Sequence, residues 1–458
     1  MSEHLILGVD VHPLGAHPAG WRLGGAHRDP SRDAVALRRI AATAEAARID
    51  LLLFGAVPPG AAEGGRRDPA VRHRVDPIAA ASFLAGSTER IGLVASVNAA
   101  VADPVAIARA AASLDVLSGG RAGLGLACDP GAREAAAHGL DPRAARAGRQ
   151  ARALEFAAAV TELWDSVDAP DTSAVGAGLL GADGVRAVEV RGEHLQFAAR
   201  FETVRPQQGH PVLVHECAAP EMLPFAAAQG DVVVVGAGSF DDARETRALV
   251  RGYAFEAGRD DREVKLVARV LPVIGETRAH ARAIADELSR LLPVDDDDPF
   301  VATAGGAGTR SIAHLETVVG ARLPADPDAI VDRATAARFD ATGEQLLEIV
   351  AQRTGRIVGG DAPPTLRHLV AAVSVPASMI VGTAADIAAE FADWADADAV
   401  DGFLVAPASV PAQLDAFAFG VVPELARLGL VPDEYGEGTL RERLGLAERR
   451  GLPGVPRF

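Results

Sequence analysis

The sequence predicts an α/β protein, a closed (β/α)8 barrel (TIM barrel) with an insertion before the last strand. Eight nearly uninterrupted apolar runs have the length of a strand, which is typical of parallel strands covered by helices on both faces. The runs occupy residues 5–12, 50–57, 91–98, 121–128, 211–217, 231–236, 264–274 and 402–406. Repeated strand-then-helix order over eight strands favours a closed barrel. A doubly wound open sheet is the structural alternative.

Longer stretches rich in alanine, arginine and glutamate separate the apolar runs and predict the helices. They occupy residues 33–48, 77–87, 104–117, 144–164, 240–257 and 384–394. Two helices are expected to begin at Asp76-Pro77 and Asp103-Pro104. Aspartate accepts hydrogen bonds from the free N–H groups of a first turn, and proline is well tolerated there.

Two stretches interrupt this repeat. Residues 169–186 are rich in glycine, alanine and aspartate and predict a loop. Residues 292–376 begin with a proline and a run of four aspartates, then alternate polar loops with helical patches. We expect one domain over residues 1–458, with an insertion at about 292–376 whose length and polarity would suit a lid over a cavity.

Composition and charge exclude several classes of protein. Of the 458 residues, 49% are hydrophobic and 23% charged, which predicts a large core and little disorder. The formal net charge of −17 disfavours nucleic acids and anionic membranes as partners. Lys265 is the only lysine, which excludes a Walker-type phosphate loop elsewhere. Since no apolar run reaches the length of a membrane span and no signal peptide is evident, we expect a soluble cytoplasmic protein.

Two glycine-rich segments invite comparison with a dinucleotide-binding fingerprint. Residues 176–181 spell GxGxxG, but the sequence before them is a loop where the fingerprint needs a strand. Residues 231–238 do run from a strand into glycines, but the third glycine is missing. We interpret the second segment as a barrel strand that ends in a tight turn.

The remaining candidate residues give no metal site. Twelve histidines are present without an HExxH motif, and the run of aspartates at 295–298 is interpreted as a solvated loop. Cys128 and Cys217 cannot form a cysteine-rich metal site and are expected to fill small apolar spaces. His12 and His17 flank the end of the first strand, which is the active-site face of a (β/α)8 barrel.

Ten segments in order along the chain resemble one protein family. The matching segments are GAHPAGWR (15–22), TERIGLV (88–94), SLDVLSGGRAG (113–123), LWDS (163–166), RGEH (191–194), RPQQGHPVLV (205–214), IVGT (380–383), DGF (401–403), VPEL (422–425) and TLRE (439–442). They are similar to segments of the two-component flavin monooxygenases within the bacterial-luciferase-like superfamily. The group includes nitrilotriacetate monooxygenase, dibenzothiophene-sulfone monooxygenase and the large subunit of pristinamycin synthase.

The resemblance implies a flavin-dependent monooxygenase built on a (β/α)8 barrel with an insertion. It implies FMN as cofactor, bound in the reduced form and supplied by a separate flavin reductase, with O2 and a small organic substrate. It also implies a homodimer or a larger assembly. The role of such a protein is to hold the flavin, exclude water and position the substrate.

The same resemblance implies the site residues. His17 stands in its family position and is expected to line the flavin or substrate cavity as the catalytic residue. Ser96 and Asn98 keep hydrogen-bonding groups after the third strand. Arg146 and Gln150 occupy positions where the family usually has a histidine and a tyrosine against the cofactor. We therefore expect Ser96, Asn98, Arg146 and Gln150, together with Arg149, to bind the cofactor.

Other positions depart from the family pattern. Gly55 and Ala56 replace an Ala-Asp pair after the second strand, and Gly125 and Cys128 replace an asparagine and a threonine after the fourth. After the fifth strand, a turn that meets the flavin phosphate is replaced by residues 215–220.

The replaced turn suits an anion poorly. Pro220 has no N–H to donate. Glu216 would repel a phosphate at ~4 Å by about 4 kcal/mol near a protein surface. Arg146 or Arg149 would offset this repulsion, because guanidinium groups bind phosphate through two hydrogen bonds.

These observations leave two main hypotheses. One is an active FMN-dependent monooxygenase with an altered site. The other is a degenerate paralogue with weak or no flavin binding, acting as a non-catalytic or ligand-binding subunit. Use of a deazaflavin is a third and weaker alternative. Titration of the purified protein with oxidised and reduced FMN discriminates between the first two.

Overall fold

A computed structural model of the protein describes residues 4–12, 14–27, 33–55, 75–128, 135–136, 138–167, 184–216, 220–236, 239–294, 310–375, 378–447 and 449, without the side chains of 142–147 and 261. The strands within these residues are β1 (Ile6–Asp10), β2 (Leu51–Phe54), β3 (Gly92–Asn98), β4 (Ala122–Ala127), β5 (Ala187–Arg191), β6 (Gln196–Arg200), β7 (Val212–Glu216), β8 (Val232–Val235), β9 (Lys265–Ile274), β10 (Ser378–Gly382) and β11 (Gly402–Val405).

The α-helices are α1 (Asp33–Ala46), α2 (Pro77–Ala85), α3 (Pro104–Ser118), α4 (Pro142–Asp165), α5 (Leu223–Gln229), α6 (Phe240–Glu256), α7 (Arg278–Arg290), α8 (Ile312–Val319), α9 (Arg333–Ala336), α10 (Ala341–Thr354), α11 (Leu366–Ser374), α12 (Ala384–Asp396), α13 (Ala412–Ala416), α14 (Val422–Arg427) and α15 (Leu440–Arg443). Short 3-10 helices span Gly20–Arg22, Pro220–Met222 and Asp261–Glu263, and a π-helical turn spans Phe417–Val421.

Eight strands form a closed, parallel ring. Its order is β1-β2-β3-β4-β7-β8-β9-β11, and β11 pairs with β1 to close it. Each ring strand lies within one of the eight apolar runs, so the predicted barrel is confirmed and the open doubly wound sheet is wrong. Helices follow the strands around the ring, which is the arrangement of a TIM barrel.

The alternation of side chains along each strand fills the barrel. Ile6, Leu53, Val94, Val214 and Leu404 belong to one buried cluster inside the ring. Leu440, the first residue of α15, and Leu444, the residue after its end, belong to the same cluster. The intervening strand residues face the helices in a larger apolar cluster. The two faces of each strand are therefore both buried, which explains the nearly continuous apolar runs.

The two predicted helix starts are confirmed. The Asp76 carboxylate accepts a hydrogen bond from the N–H of Ala79 at 3.0 Å, and Asp103 accepts one from Ala106 at 2.7 Å. A proline follows each aspartate in the first turn. The caps fix where α2 and α3 begin and hence the length of the loops that follow β2 and β3.

Several of the segments that carry the resemblance stabilise the fold. Arg121 is buried and donates to the carbonyl oxygens of Ala85, Thr88, Ile91 and Ser118 at 2.6–3.1 Å. These bonds join the loop before β3 to the loop before β4. They lie at the amino-terminal ends of the strands, the face that stabilises a barrel and carries no chemistry in proteins of this architecture.

A second buried network joins distant segments at the same end. Gln208 donates to Asp115 at 2.6 Å and accepts from the N–H of Arg441 at 2.9 Å. Arg441 in turn pairs with Asp231 at 2.6 Å. Because buried charges are costly unless paired, this network fixes α15 beneath the ring.

The sequence did not predict three strands. β5 and β6 form an antiparallel hairpin outside the ring. β9 is ten residues long, and Val267–Val270 pair with β11 while Val270–Ile274 pair with β10. The insertion therefore precedes β10, an extra strand outside the ring, and does not lead directly into the last ring strand.

Within the insertion, the described residues 310–375 contain α8 to α11. Their apolar faces form a separate buried cluster that includes Leu292, Ile312, Leu315, Leu346 and Leu369. The expected alternation of loops and helical patches is confirmed for these residues. That the insertion and the barrel make one domain stays a prediction. Among the described residues, no helix is both long and apolar enough to cross a membrane.

Candidate active site

The carboxyl ends of the ring strands carry a connected set of charged side chains. Asp10 ends β1, Glu216 ends β7, and Arg269 lies on β9. Each follows an inward-facing residue of the barrel at a spacing of two, so all three point into the ring. Arg269 Nη2 lies 2.6 Å from Glu216 Oε2, and Arg269 Nε lies 3.1 Å from Asp10 Oδ2. These residues form a charged layer above the apolar interior.

The charged layer is held together through Arg269. Burial opposes the charge on this guanidinium, but Asp10 and then Glu216 outweigh that effect and hold the pKa of Arg269 above its usual value. His12 Nε2 lies 3.0 Å from the other oxygen of Asp10. The layer therefore keeps one fixed cation between two carboxylates at the mouth of the barrel.

Ser96 lies in this layer. Its hydroxyl bonds to the Glu216 carboxylate, and the side chain is 2% exposed. Gly125 on β4 lies directly beside it, and a Cβ there would overlap the Ser96 hydroxyl and sit 2.9 Å from its Cα. Gly125, which stands where the resemblance implies an asparagine, therefore leaves the space that the Ser96 side chain fills.

Asn98 ends β3 at the same rim and is 6% exposed. Its Oδ1 accepts a hydrogen bond from the N–H of Ala100 at 3.1 Å, which turns the chain sharply after the strand. The structure therefore brings Ser96 and Asn98 to the rim, as their positions predict. Whether they bind a cofactor stays a prediction.

His17 is held in a loop after β1. Its backbone N–H donates to Ala408 O at 3.3 Å, and its Nδ1 accepts from the N–H of Ala19 at 3.1 Å. Gly15 and Gly20 pack so closely on the Ala408 carbonyl that neither position has room for a Cβ. The loop is therefore fastened to the segment that follows β11, which places His17 at the same face as the charged layer.

The imidazole of His17 is neutral. Burial, followed by the charges of Arg353 and Arg310, lowers its pKa to about 3. Since Nδ1 accepts a hydrogen bond, the proton of the neutral ring lies on Nε2. His17 can therefore donate a hydrogen bond from Nε2 but does not carry charge at neutral pH.

The predicted residues of α4 are only partly brought to this site. Arg149 Nη2 lies 2.5 Å from Glu221 Oε1, and Glu221 lies in the 3-10 helix after β7. Gln150 is partly buried beside it. The side chain of Arg146 lies outside the described part of the chain. Among the described side chains, Arg149 is therefore the predicted cation that contacts a loop at the carboxyl end of a strand.

The expectation about the charge of Glu216 after β7 needs correction. Glu216 does not stand as an isolated charge beside a phosphate position, because it points into the barrel and pairs with Arg269. His215 faces the opposite way, packs edge-on against Phe225 with ring centroids 4.5 Å apart, and is fully buried. The alternation of a strand decides both orientations.

Several predicted features fall elsewhere. Cys128 is buried in the large apolar cluster, as expected. Cys217, the glycine motif at 176–181 and the aspartates at 295–298 lie outside the described residues. No group of metal-binding side chains is present in the portion that the structure describes.

Sequence reasoning missed Asp10 and Arg269. Each lies two residues after an inward-facing position of its strand, Gly8 for Asp10 and Val267 for Arg269. Applying the two-residue period of a strand would have placed both side chains inside the ring. Their pairing with Glu216 depends on the closure of the barrel and has no local signal.

Small side chains stand around the charged layer at the rim. The inward positions that follow or end β2, β4 and β11 are Gly55, Ala127 and Ala406. Among the described residues, a Cβ on Gly55 would meet Asp10 Oδ1 alone, at 3.9 Å. Small residues therefore lie around the charged layer, and Arg149 supplies a cation at the loop after β7. The residues present thus fit a flat ring system with an anionic tail.

Comparisons with known proteins agree with this architecture. The sequence model of the luciferase-like monooxygenase family matches residues 16–400. The chain is 28% identical to nitrilotriacetate monooxygenase component A of Aminobacter aminovorans, over 99% of both chains. It is 29% identical to dibenzothiophene-sulfone monooxygenase of Rhodococcus erythropolis, over 94% of this chain and 93% of the relative.

A solved structure gives the same result for the fold. The EDTA monooxygenase of Chelativorans sp. BNC1 superimposes with a TM-score of 0.74 and 25% identity, over 98% of this chain and 99% of the other. The family match covers more than half of the chain, and the relatives align along nearly all of it. The chain therefore belongs to the luciferase-like monooxygenase family and is a flavin-dependent oxidoreductase by membership of it.

Proposed function

We propose that the protein binds reduced FMN, supplied by a separate flavin reductase, at the carboxyl ends of its strands and uses O2 to oxygenate a small organic substrate. The observation that carries this proposal is the rim itself, where small residues surround an ion-paired layer and buried polar side chains face one mouth. Assembly as a homodimer or larger oligomer stays a prediction.

Each rim residue would have a separate role toward the cofactor. Arg149, with Arg146 on the same helix, would hold the phosphate, since Arg149 lies beside the loop after β7. Asn98 would contact the flavin at the end of β3. Ser96 would hold the Glu216 side chain below the flavin through its hydrogen bond. His17 would donate a hydrogen bond from Nε2 to flavin or substrate. Bound reduced FMN supplies the activation of O2, and the chain excludes water from that site.

The relatives leave the charge of the substrate open. By their names, two of them act on aminopolycarboxylates and the third on an uncharged sulfone. We infer from this range that the substrate is a small organic compound.

Equilibrium titration with oxidised and photoreduced FMN tests the proposal. We expect saturable binding of the reduced form, weakened about tenfold or more in Arg149→Gln because a charge-assisted hydrogen bond to phosphate is lost. Arg186→Gln is the matched control, since Arg186 is 57% exposed and pairs at 3.5 Å with Glu162. Absence of saturable binding of either form at tens of micromolar protein would overturn the proposal and favour the non-catalytic subunit.

A further inference from the structure

A cavity of about 840 Å³ lies at the amino-terminal ends of the ring strands. Its walls come from the start of β1, the start of β9, the helix α6 and the chain around α15. Asp10 and Glu216, which mark the mouth of the barrel, lie at the opposite ends of their strands. The cavity is therefore separate from the candidate active site.

Lys265, the only lysine of the chain, lines this cavity. It is the first residue of β9 and precedes the inward-facing Val267 by two residues, so its side chain points into the ring. Ile6 and Leu444 line the cavity with it and belong to the apolar cluster inside the ring. Lys265 is 9% exposed. Its ammonium group is therefore held between an apolar floor and the cavity.

Two arginines line the same cavity and carry buried nitrogens that, among the described residues, have no hydrogen-bond acceptor. In Arg443 these are Nε, Nη1 and Nη2, and Cζ lies 5.3 Å from the centre of the Tyr435 ring. In Arg247 they are Nε and Nη1, whereas Nη2 pairs with Asp398 at 3.0 Å and with Asp401 at 2.9 Å. Because buried cationic N–H groups are costly without an acceptor, both arginines favour an anion in the cavity.

Acidic side chains are as numerous around the cavity as lysine and arginine, but most are already bound within the protein. The bound carboxylates and their partners are Asp50 with the N–H of Leu7, Asp398 with Arg247 and Arg251, Asp401 with Arg247 and the N–H of Leu266, and Glu442 with the N–H of Thr439. The remaining one, Glu434, is exposed. None of these contacts uses Lys265 or Arg443. The inner part of the cavity is therefore positive.

We propose that this cavity binds a phosphate-bearing ligand, with Lys265 as the donor that contacts the phosphate and Arg443 and Arg247 adding positive charge. The three cations come from β9, α15 and α6, so they surround the ligand from different directions. A tetrahedral phosphate presents oxygens in several directions, whereas a carboxylate presents two oxygens in one plane, which suits a single guanidinium. Binding would connect the ring to α15 and stabilise the native state. The site does not depend on the proposed flavin chemistry.

Calorimetric titration with inorganic phosphate and pyrophosphate, at constant ionic strength, tests the proposal. We expect at least one of the two to bind saturably, about tenfold or more weakly in Lys265→Met because a charge-assisted hydrogen bond is lost. Lys265→Arg, which keeps the charge, should restore part of the affinity. Arg322→Met is the matched control, because Arg322 is 93% exposed and pairs at 2.9 Å with Glu316. Failure of both anions to bind at tens of millimolar, or equal binding by Lys265→Met, would overturn the proposal.

The single lysine also allows a test that needs no variant. An amine-reactive reagent labels Lys265 and the terminal amine of the chain, and mass spectrometry separates the two products. Pyrophosphate at about ten times its dissociation constant should slow the labelling of Lys265 about tenfold, because only the unliganded fraction reacts. The terminal amine is the internal reference. An unchanged rate at Lys265 with saturating pyrophosphate would contradict the assignment.

A third arm separates this cavity from the mouth of the barrel, because FMN also carries a phosphate. The affinity for pyrophosphate is measured in Arg149→Gln and the affinity for FMN in Lys265→Met, and we expect both to be unchanged. Loss of pyrophosphate binding in Arg149→Gln but not in Lys265→Met would assign the anion to the mouth and overturn this inference. Pyrophosphate binding that depends on Lys265, without any flavin binding, would leave this inference standing and refute the proposed function.

Discussion

Arg269 Nη2 lies 2.6 Å from Glu216 Oε2 inside the mouth of the barrel, and the same guanidinium contacts Asp10. The two carboxylates are 11% and 6% exposed, so each depends on Arg269 for its compensation. The contact explains how a carboxylate can occupy the strand end where the family has an uncharged turn. It also joins the three charged side chains into one connected layer.

Removing the central cation should destabilise the fold. We expect Arg269→Met to lower the free energy of unfolding by about 3 kcal/mol, since two buried carboxylates lose their partner. Urea denaturation measures this change. Adding Glu216→Gln to the variant should recover part of the loss. Arg39→Met, which breaks an exposed pair with Asp415, should cost less than about 1 kcal/mol. Equal stability of Arg269→Met and the native protein would show that the layer is not coupled as described.

Gly125 should be intolerant of even one methyl group. A Cβ there would overlap the Ser96 hydroxyl and lie 2.9 Å from the Ser96 backbone. We expect Gly125→Ala to cost about 1–3 kcal/mol of unfolding free energy, as overpacking of a core does. Gly86→Ala is the control, because no atom lies within 4 Å of its added Cβ, and it should change stability by less than about 0.5 kcal/mol. Similar values for the two variants would contradict the crowding.

Acid should destabilise the protein through His215. Burial lowers its pKa from 6.5 to about 3, so the unfolded chain binds this proton at higher pH than the folded chain. The stability it contributes is complete above pH 6.5 and is lost as the pH falls toward 3. Between pH 6.5 and 5.5, His215→Leu should therefore lose about 1 kcal/mol less unfolding free energy than the native protein. Parallel pH profiles of the two proteins would contradict this assignment.

His17 should affect the flavin reaction without titrating near neutral pH. We expect His17→Ala to change the affinity for reduced FMN, or the rate of its reoxidation by O2, about fivefold, the effect of one neutral hydrogen bond. Because the pKa of His17 is about 3, the native rate should show no inflection from this residue between pH 5 and 8. His194→Ala, at an exposed position of the β5–β6 turn, is the control. Unchanged affinity and rate in His17→Ala would remove the residue from the site.

The sequence by itself determined the barrel. Its eight ring strands are continuous and apolar because both of their faces are covered, and Asp76 and Asp103 cap helices that begin at the next residue in the chain. Such signals are local in the sequence, and each of the eight apolar runs contains one ring strand. The hairpin β5–β6 and the strand β10 were missed because their pairing is decided outside the ring, where the strands are partly exposed and the apolar pattern is weak.

Only the tertiary structure decided the chemistry of the mouth. Glu216, Ser96, Asp10 and Arg269 come from four strands, and nothing in the sequence around any one of them indicates its partner. These side chains form their ion pairs and their hydrogen bond only when the ring closes and brings the strand ends together. Charge compensation is a property of distances between remote residues, which a linear pattern does not contain.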